Sequence, residues 1–449
     1  MLKNYILNFH ENLQGLRDFV SLISPFLDEY GDKLNEKHGK TFEPLRIARK
    51  RHFAESEEEK AKYSEELQKI FDGEIEIYEK EKDEEGENKQ NDKSTEENDK
   101  TKREIRYRLK GNTDALDEAF REFAQTEFHK ELLYKNSLIS LLSTVEWFFS
   151  QILHFYYDKF PDSSGIKNKT LTLDDLKNFH SIDDAEKYLI ENKIEDILRS
   201  SIKDWFKILK DDFKLGMGYK EQYENELIEI YQRRNLLVHN GGIINSIYLS
   251  KISDEFKILR IGDKIEVDKD YLEKAIDTFE LIFTLIVCEL WKKISDNDED
   301  RCEILMNMGY KFLKESKWDI AKCCNFFLCG DKKMPIASRT AAQLNVWLCD
   351  KEKNGFDSIK KEILENDFSD KALIFQIAFS ALKDDKDFFF NNLEQTLRTE
   401  ELTPDHLIEF PIFRNMRDSE EFEKFKYESE FLRNHNLQLD SEDLQSADN

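Results

Sequence analysis

IEIYQRRNLLVHNGG, residues 228–242, is a run of helix formers that ends on two glycines and carries an arginine, an asparagine and a histidine among its leucines. Advancing about 100° per residue from Leu227, the positions Leu227, Ile228, Ile230, Tyr231, Leu237 and Val238 fall on one broad apolar arc. Arg234 lies inside that arc. Asn235 and His239 sit one turn apart along its margin. Glu226, Glu229, Gln232 and Arg233 take the opposite, solvated side, where Arg233 is expected to pair on the surface with Glu229, four residues before it. The helix should stop at Asn240-Gly241-Gly242, since glycine accepts the positive φ that closes a helix C-terminus.

A guanidinium cannot be stripped of water without an anion beside it. Two anions answer that need. One is internal: in SLISLLSTVEWFFSQILHFYY, Glu146 lies on the apolar side of a long helix, between Ile139, Leu142 and Leu153. The other is a phosphate, whose oxygens match the planar fork of arginine. His239 occupies the last helical turn, where the helix dipole favours a cation and where a histidine is placed to exchange protons near neutral pH. A histidine that only caps the helix would have the same placement. Arg, Asn and His on one polar patch inside an apolar face is the combination that pairing or capping alone does not account for.

Around this helix the chain reads as mainly α. Its 449 residues exceed what one hydrophobic core supports, so two or three domains are expected. Only 6 Pro and 15 Gly stand against 36% charged and 12% aromatic residues, a balance that favours long amphipathic helices over turn-rich sheets. A net charge of −26 excludes non-specific coating of nucleic acid, which depends on many lysines and arginines displacing counterions. Any nucleic-acid site must therefore be a local pocket. The six cysteines lack CxxC spacing and read as small core residues in a reducing compartment. MLKNYILNFHENLQGLRDF lacks the apolar core and cleavage site of a signal peptide. LIFTLIVCELW and VEWFFSQILHFYY fall short of the ~20 residues that span a bilayer, so the expectation is a cytoplasmic protein without a membrane partner.

Four regions follow. Residues 1–112 should hold helices, with Leu16, Phe19, Val20, Ile23 and Phe26 at helical spacing, and then two alternating segments, EIEIYEKE (74–81) and REIRYRLK (103–110). One is acidic and the other basic on its outward face, so they should pair as a charged hairpin around a disordered loop at about 82–102. Residues 113–297 form one helical domain: an N-capped helix and a second, longer one ending before Pro161, then capped helices, the opening helix, strand-like pieces over 246–267, and an apolar helix at 270–294. Residues 298–432 read as helical hairpins, with Gly309, Asn345 and Ala378 recurring near the ~34-residue period of tetratricopeptide repeats. A flexible polar tail, 433–449, completes the chain.

RNLLVHN, Arg234-Asn235 followed by three apolar residues and His239, resembles the R-x4-6-H motif of the HEPN superfamily (higher eukaryotes and prokaryotes nucleotide-binding). Its context strengthens the likeness: the motif ends a helix, NGG follows, and a long amphipathic helix with an embedded acid precedes it. The resemblance covers roughly residues 125–295. It implies a four-to-five-helix bundle that dimerises so that two motifs face one cleft, and metal-independent RNA cleavage with no cofactor. On that reading His239 moves the proton, Arg234 binds the phosphate and Asn235 orients one or the other. Arg233, Tyr231, Asn240 and Glu146 are second-shell or RNA-contacting candidates. The implied partners are an RNA substrate, a second copy of the chain, and a protein partner, antitoxin or trigger at the C-terminal repeats, as in prokaryotic toxins and anti-phage defence proteins. The alternative is a non-catalytic interaction and dimerisation protein in which Glu146 satisfies Arg234. A third reading is a nucleotide-binding or nucleotidyl-accepting protein modified at Tyr231. No phosphate-loop, dinucleotide-binding, nucleophile-elbow or HExxH motif occurs in the chain.

Overall fold

The computed structural model describes residues 1–54, 56–71, 73–80, 104–166, 169–295 and 298–429. Over these the protein is mainly α, with one two-stranded sheet. The loop expected at 82–102 and the tail from 433 lie outside the described residues.

The chain opens with α1 (Leu2–His38), α2 (Glu43–His52) and α3 (Glu57–Ile70). Strands β1 (Gly73–Lys80) and β2 (Glu104–Gly111) pair antiparallel, with Glu74 opposite Lys110 and Glu76 opposite Arg108. The Lys110 ammonium lies 3.2 Å from Glu74 and 3.7 Å from Glu76, the cross-strand complementarity that the alternating segments call for. Next comes α4 (Asp114–Lys159), a single 46-residue helix where the sequence suggests two. Its continuity has a local cause, because no glycine or proline interrupts the run between Asn112 and Pro161. Among the described residues α4 alone has the length and apolarity to cross a membrane, which corrects the expectation that every apolar stretch is too short. Its second half nevertheless buries Leu138, Leu141, Val145, Phe148, Phe149 and Ile152 inside the protein.

The described chain divides into two compact units. The smaller comprises residues 16–137 with 266–268. In it Val20 and Leu34 are buried, whereas Phe19 and Phe26, which share the same helical spacing, are exposed. A separate small core forms where Leu45, Ile47 and Ala48 of α2 meet Leu67 of α3 and Ile75 of β1.

The larger unit comprises residues 1–15, 138–265 and those from 269 onward. After α4 it contains α5 (Leu173–Leu176), α6 (Ile182–Leu198), α7 (Ile202–Asp211), α8 (Glu224–Asn240), α9 (Ser246–Lys251) and α10 (Lys269–Ile294). Its core is aromatic: Phe149 of α4 stacks on Trp205 of α7 at 4.6 Å, and Tyr231 of α8 meets the Trp205 edge at 5.7 Å. The Trp205 indole N–H donates to the Ile197 carbonyl at 2.8 Å, so the ring is buried without leaving its donor unpaired.

The strand-like reading of 246–267 does not hold. Residues 246–251 are helical, capped by Asn245, and only an isolated bridge joins Ile243 to Lys264. Ile265 and Val267 of that stretch are buried, but Ile258 and Ile261 are exposed, and among the described residues no strand pairs with them.

The C-terminal helices are α11 (Glu299–Lys314), α12 (Trp318–Gly330), α13 (Ile336–Asn354), α14 (Lys360–Glu365), α15 (Leu373–Leu382), α16 (Lys386–Arg398), α17 (Pro404–Glu409), α18 (Arg414–Arg417) and α19 (Glu420–Glu428). Short turns join α11 to α12 and α15 to α16, so consecutive helices pack as hairpins. Gly309 has a packing role: a Cβ there would stand 2.9 Å from the Asn325 amide of α12. Asn325 in turn donates to the Ala321 carbonyl and accepts from Asn345, which links α12 to α13. At the head of this region the fully buried Arg301 pairs with Asp298 and Asp331.

Candidate functional site

Helix α8 carries the site. Glu224 and Glu226 stand in its first turn and Gly241 closes it at φ 60°. Gly242 follows at φ 86°, with a Cβ position only 3.2 Å from Leu237 Cδ2. The Asn240 side-chain amide donates to the Ile243 carbonyl and so tightens the turn after the helix. Asn240 is thus a turn-holding residue.

One face of α8 looks into a cleft of about 600 Å³. Arg234, Asn235 and His239 line it together, as the motif spacing requires. Glu146 of α4 and the Ser200–Ser201 turn before α7 contribute other walls, and α9 supplies Asn245, Tyr248 and Lys251. Tyr231 also lines the cleft, but its hydroxyl donates to the Ser200 carbonyl at 3.1 Å, and burial raises its pKa above the ordinary tyrosine value. A phenol so held is a poor nucleophile, which disfavours a modified Tyr231.

Arg234 meets the internal anion. One of its terminal amines donates to the Glu146 carboxylate, and its guanidinium lies 5.0 Å from the Tyr231 ring centre. The two side chains keep 16% and 31% of their exposure, so the pair is half-buried and open to the cleft. Its Nε–H is buried with no hydrogen-bond partner. Glu146 alone therefore does not satisfy the cation. Among the described residues no hydrogen bond or ion pair engages the side chains of Asn235 or His239. His239 is exposed at the last turn, with its imidazole free to meet a ligand.

The opposite face of α8 departs from the sequence reading. Glu229 and Gln232, placed on the solvated side, are buried, Glu229 completely. Arg233 does pair with Glu229, with its Nε–H donating at 2.7 Å, but the pair lies inside the protein and not on its surface. The same carboxylate accepts the Tyr248 hydroxyl of α9 at 2.6 Å and the Tyr271 hydroxyl of α10 at 2.6 Å. The Arg233 guanidinium rests 3.8 Å from the Tyr271 ring centre. Glu229 thus ties three helices through charge-assisted hydrogen bonds. The i,i+4 spacing of Glu229 and Arg233 was readable in the sequence. Their burial was not, because it depends on tyrosines 19 and 42 residues beyond Glu229.

Val238 also departs from expectation. Assigned to the apolar arc, it is 47% exposed. Trp147, Ile243 and Ile247, all near the cleft in sequence, are likewise exposed. Among the described residues no group of His, Cys, Asp and Glu side chains gathers as metal ligands. Comparison with protein families, with curated proteins and with solved structures finds no match for this chain.

Proposed function

We propose that the protein is a metal-independent endoribonuclease of the HEPN type, serving a prokaryotic toxin or anti-phage defence system in the cytoplasm. The observation that carries this reading is the gathering of Arg234, Asn235 and His239 in one open cleft, with the imidazole free and the guanidinium incompletely satisfied. RNA contains its own nucleophile, so a site need supply only proton transfer and charge stabilisation. His239 accepts the proton of the 2′-hydroxyl as its oxygen attacks phosphorus. The P–O5′ bond breaks, the leaving 5′-oxygen takes a proton from solvent water, and a 2′,3′-cyclic phosphate remains. Arg234 binds the non-bridging phosphate oxygens, Glu146 holds the guanidinium in place, and Asn235 orients the scissile group. Val238, Trp147, Ile243 and Ile247 offer apolar surface beside the motif for a second copy of the chain, which would bring two α8 helices to one composite site. The C-terminal helical hairpins, which resemble tetratricopeptide repeats, would hold a trigger, antitoxin or other protein partner.

The test compares wild type with His239→Ala and Arg234→Ala on total RNA in EDTA. Cleavage by wild type alone supports the assignment; equal cleavage by all three, or by none, removes it. One observation favours a second reading. The Glu146–Arg234 pair is also what a non-catalytic bundle would build, with the repeats binding a protein and the bundle serving only to dimerise.

A further inference from the structure

The cleft carries a charge imbalance that the three motif residues do not use up. In a chain of net charge −26, the ionised side chains lining it are Arg199, Arg234 and Lys251 against one carboxylate, Glu146, with His239 able to add a further positive charge. Glu146 already holds Arg234, and Arg199 reaches out to Glu195 on its own helix at 2.8 Å. Lys251 is different. The exposed Lys251 has no hydrogen bond or ion pair among the described residues.

Lys251 ends α9, and α9 is held unusually firmly for a six-residue helix. The Asn245 side chain caps it by accepting the Tyr248 N–H at 2.9 Å, which leaves the amide NH₂ of Asn245 available in the cleft. Tyr248 anchors it from below through its 2.6 Å hydrogen bond to the fully buried Glu229. That carboxylate is itself fixed by Arg233 and Tyr271. A short helix that would fray by itself is thereby fastened to α8 and α10, with one unpaired ammonium at its cleft end.

We propose that α9 is a substrate-holding arm of the site, in which Lys251 contacts a phosphate adjacent to the scissile one and Glu229, acting through Tyr248, is the positioning residue that fixes the arm. The proposal rests on the ribonuclease reading and names its substrate as single-stranded RNA. A cleft of about 600 Å³ is of a size to admit one unpaired nucleotide while a duplex stays outside. Lysine suits this task because it meets a phosphate as a point charge from any direction along a flexible strand.

The experiment uses the full chain and a 2′-O-methylated single-stranded RNA oligonucleotide, which has no free 2′-hydroxyl and cannot be cleaved. Affinity is measured by fluorescence anisotropy over a range of NaCl concentrations for wild type, Lys251→Met, Lys251→Arg and Tyr248→Phe, with melting curves for each. Loss of one phosphate contact from a single strand lowers the slope of log K against log[NaCl] by about 0.7. Lys251→Met should show that drop at an unchanged melting temperature, and Lys251→Arg should keep the wild-type slope. On cleavable RNA, Lys251→Met and Tyr248→Phe should raise KM several-fold while kcat holds. A wild-type slope in Lys251→Met overturns the arm. Salt-dependent binding with the predicted Lys251 effect, but no cleavage of ordinary RNA, overturns the ribonuclease reading and leaves the arm standing. Absence of binding by wild type overturns both.

Discussion

Replacing Glu146 by glutamine keeps the shape of the side chain and deletes the charge that Arg234 now meets. How much the fold loses distinguishes a pair built for stability from one that holds a guanidinium ready for a phosphate. Exposed ion pairs contribute about 0–1 kcal/mol, and breaking a buried one costs about 3–5 kcal/mol. With 16% and 31% of the two side chains exposed, and Arg234 Nε unpartnered, the pair belongs nearer the lower range, and we expect a coupling of about 1–2 kcal/mol. The assay is a double-mutant cycle of Glu146→Gln and Arg234→Met by equilibrium urea unfolding, run beside cleavage measurements. Catalytic use of Arg234 predicts that Arg234→Met abolishes cleavage at little cost in stability, while Glu146→Gln lowers kcat/KM about tenfold, equivalent to ~1.4 kcal/mol of transition-state binding. A coupling above about 3 kcal/mol with no change in RNA binding or cleavage would refute the reasoning and leave Arg234 as a structural cation.

Further outcomes follow from the same structure. Glu229→Gln leaves the Arg233 cation buried beside a neutral amide, and urea unfolding should show a loss of about 3–5 kcal/mol, well beyond that of Glu146→Gln. Gly242→Val forces a β-branched residue to φ 86° with its Cβ 3.2 Å from Leu237, so the melting temperature should fall by several degrees, whereas substitution of the exposed Lys269 should not move it. Burial pushes the Cys288, Cys323 and Cys349 thiols up to about 12, so below that pH they stay protonated. Iodoacetamide at pH 8 should therefore label the less buried Cys329 first in the folded protein and reach those three only after unfolding, as mass spectrometry of the digested chain would show.

Features fixed by local physics were legible in the sequence. The NGG stop ends α8, the charged alternation of Glu74, Glu76, Arg108 and Lys110 pairs β1 with β2, and the embedded Glu146 reaches Arg234 across 88 residues. Misreadings arose where tertiary partners decide. Glu229, Gln232 and Arg233 look like a solvated face until Tyr248 and Tyr271 close over Glu229. The pieces SIYLS and FKILRIGDKIEVD, with Gly262-Asp263 as a turn signal, read as strands, yet strand formation needs a neighbour to accept its hydrogen bonds, and among the described residues of this stretch only the Ile243–Lys264 bridge forms. Helical spacing placed Phe19 and Phe26 with Val20, but spacing specifies a face and not what covers it, and both rings stay exposed. Lys251 is not legible in the sequence for a related reason: its position at the cleft depends on α9 folding as a helix.

The chemistry at His239 and Arg234 can be read from the ends of the RNA it makes. Single-turnover cleavage in EDTA, with a 2′-deoxy substitution introduced at the mapped scissile nucleotide, tests it directly. The account predicts 2′,3′-cyclic phosphate and 5′-hydroxyl ends, complete loss of cleavage at the deoxy position, and no product from His239→Ala. Cleavage that survives the 2′-deoxy substitution, or that His239→Ala performs at the wild-type rate, would contradict it.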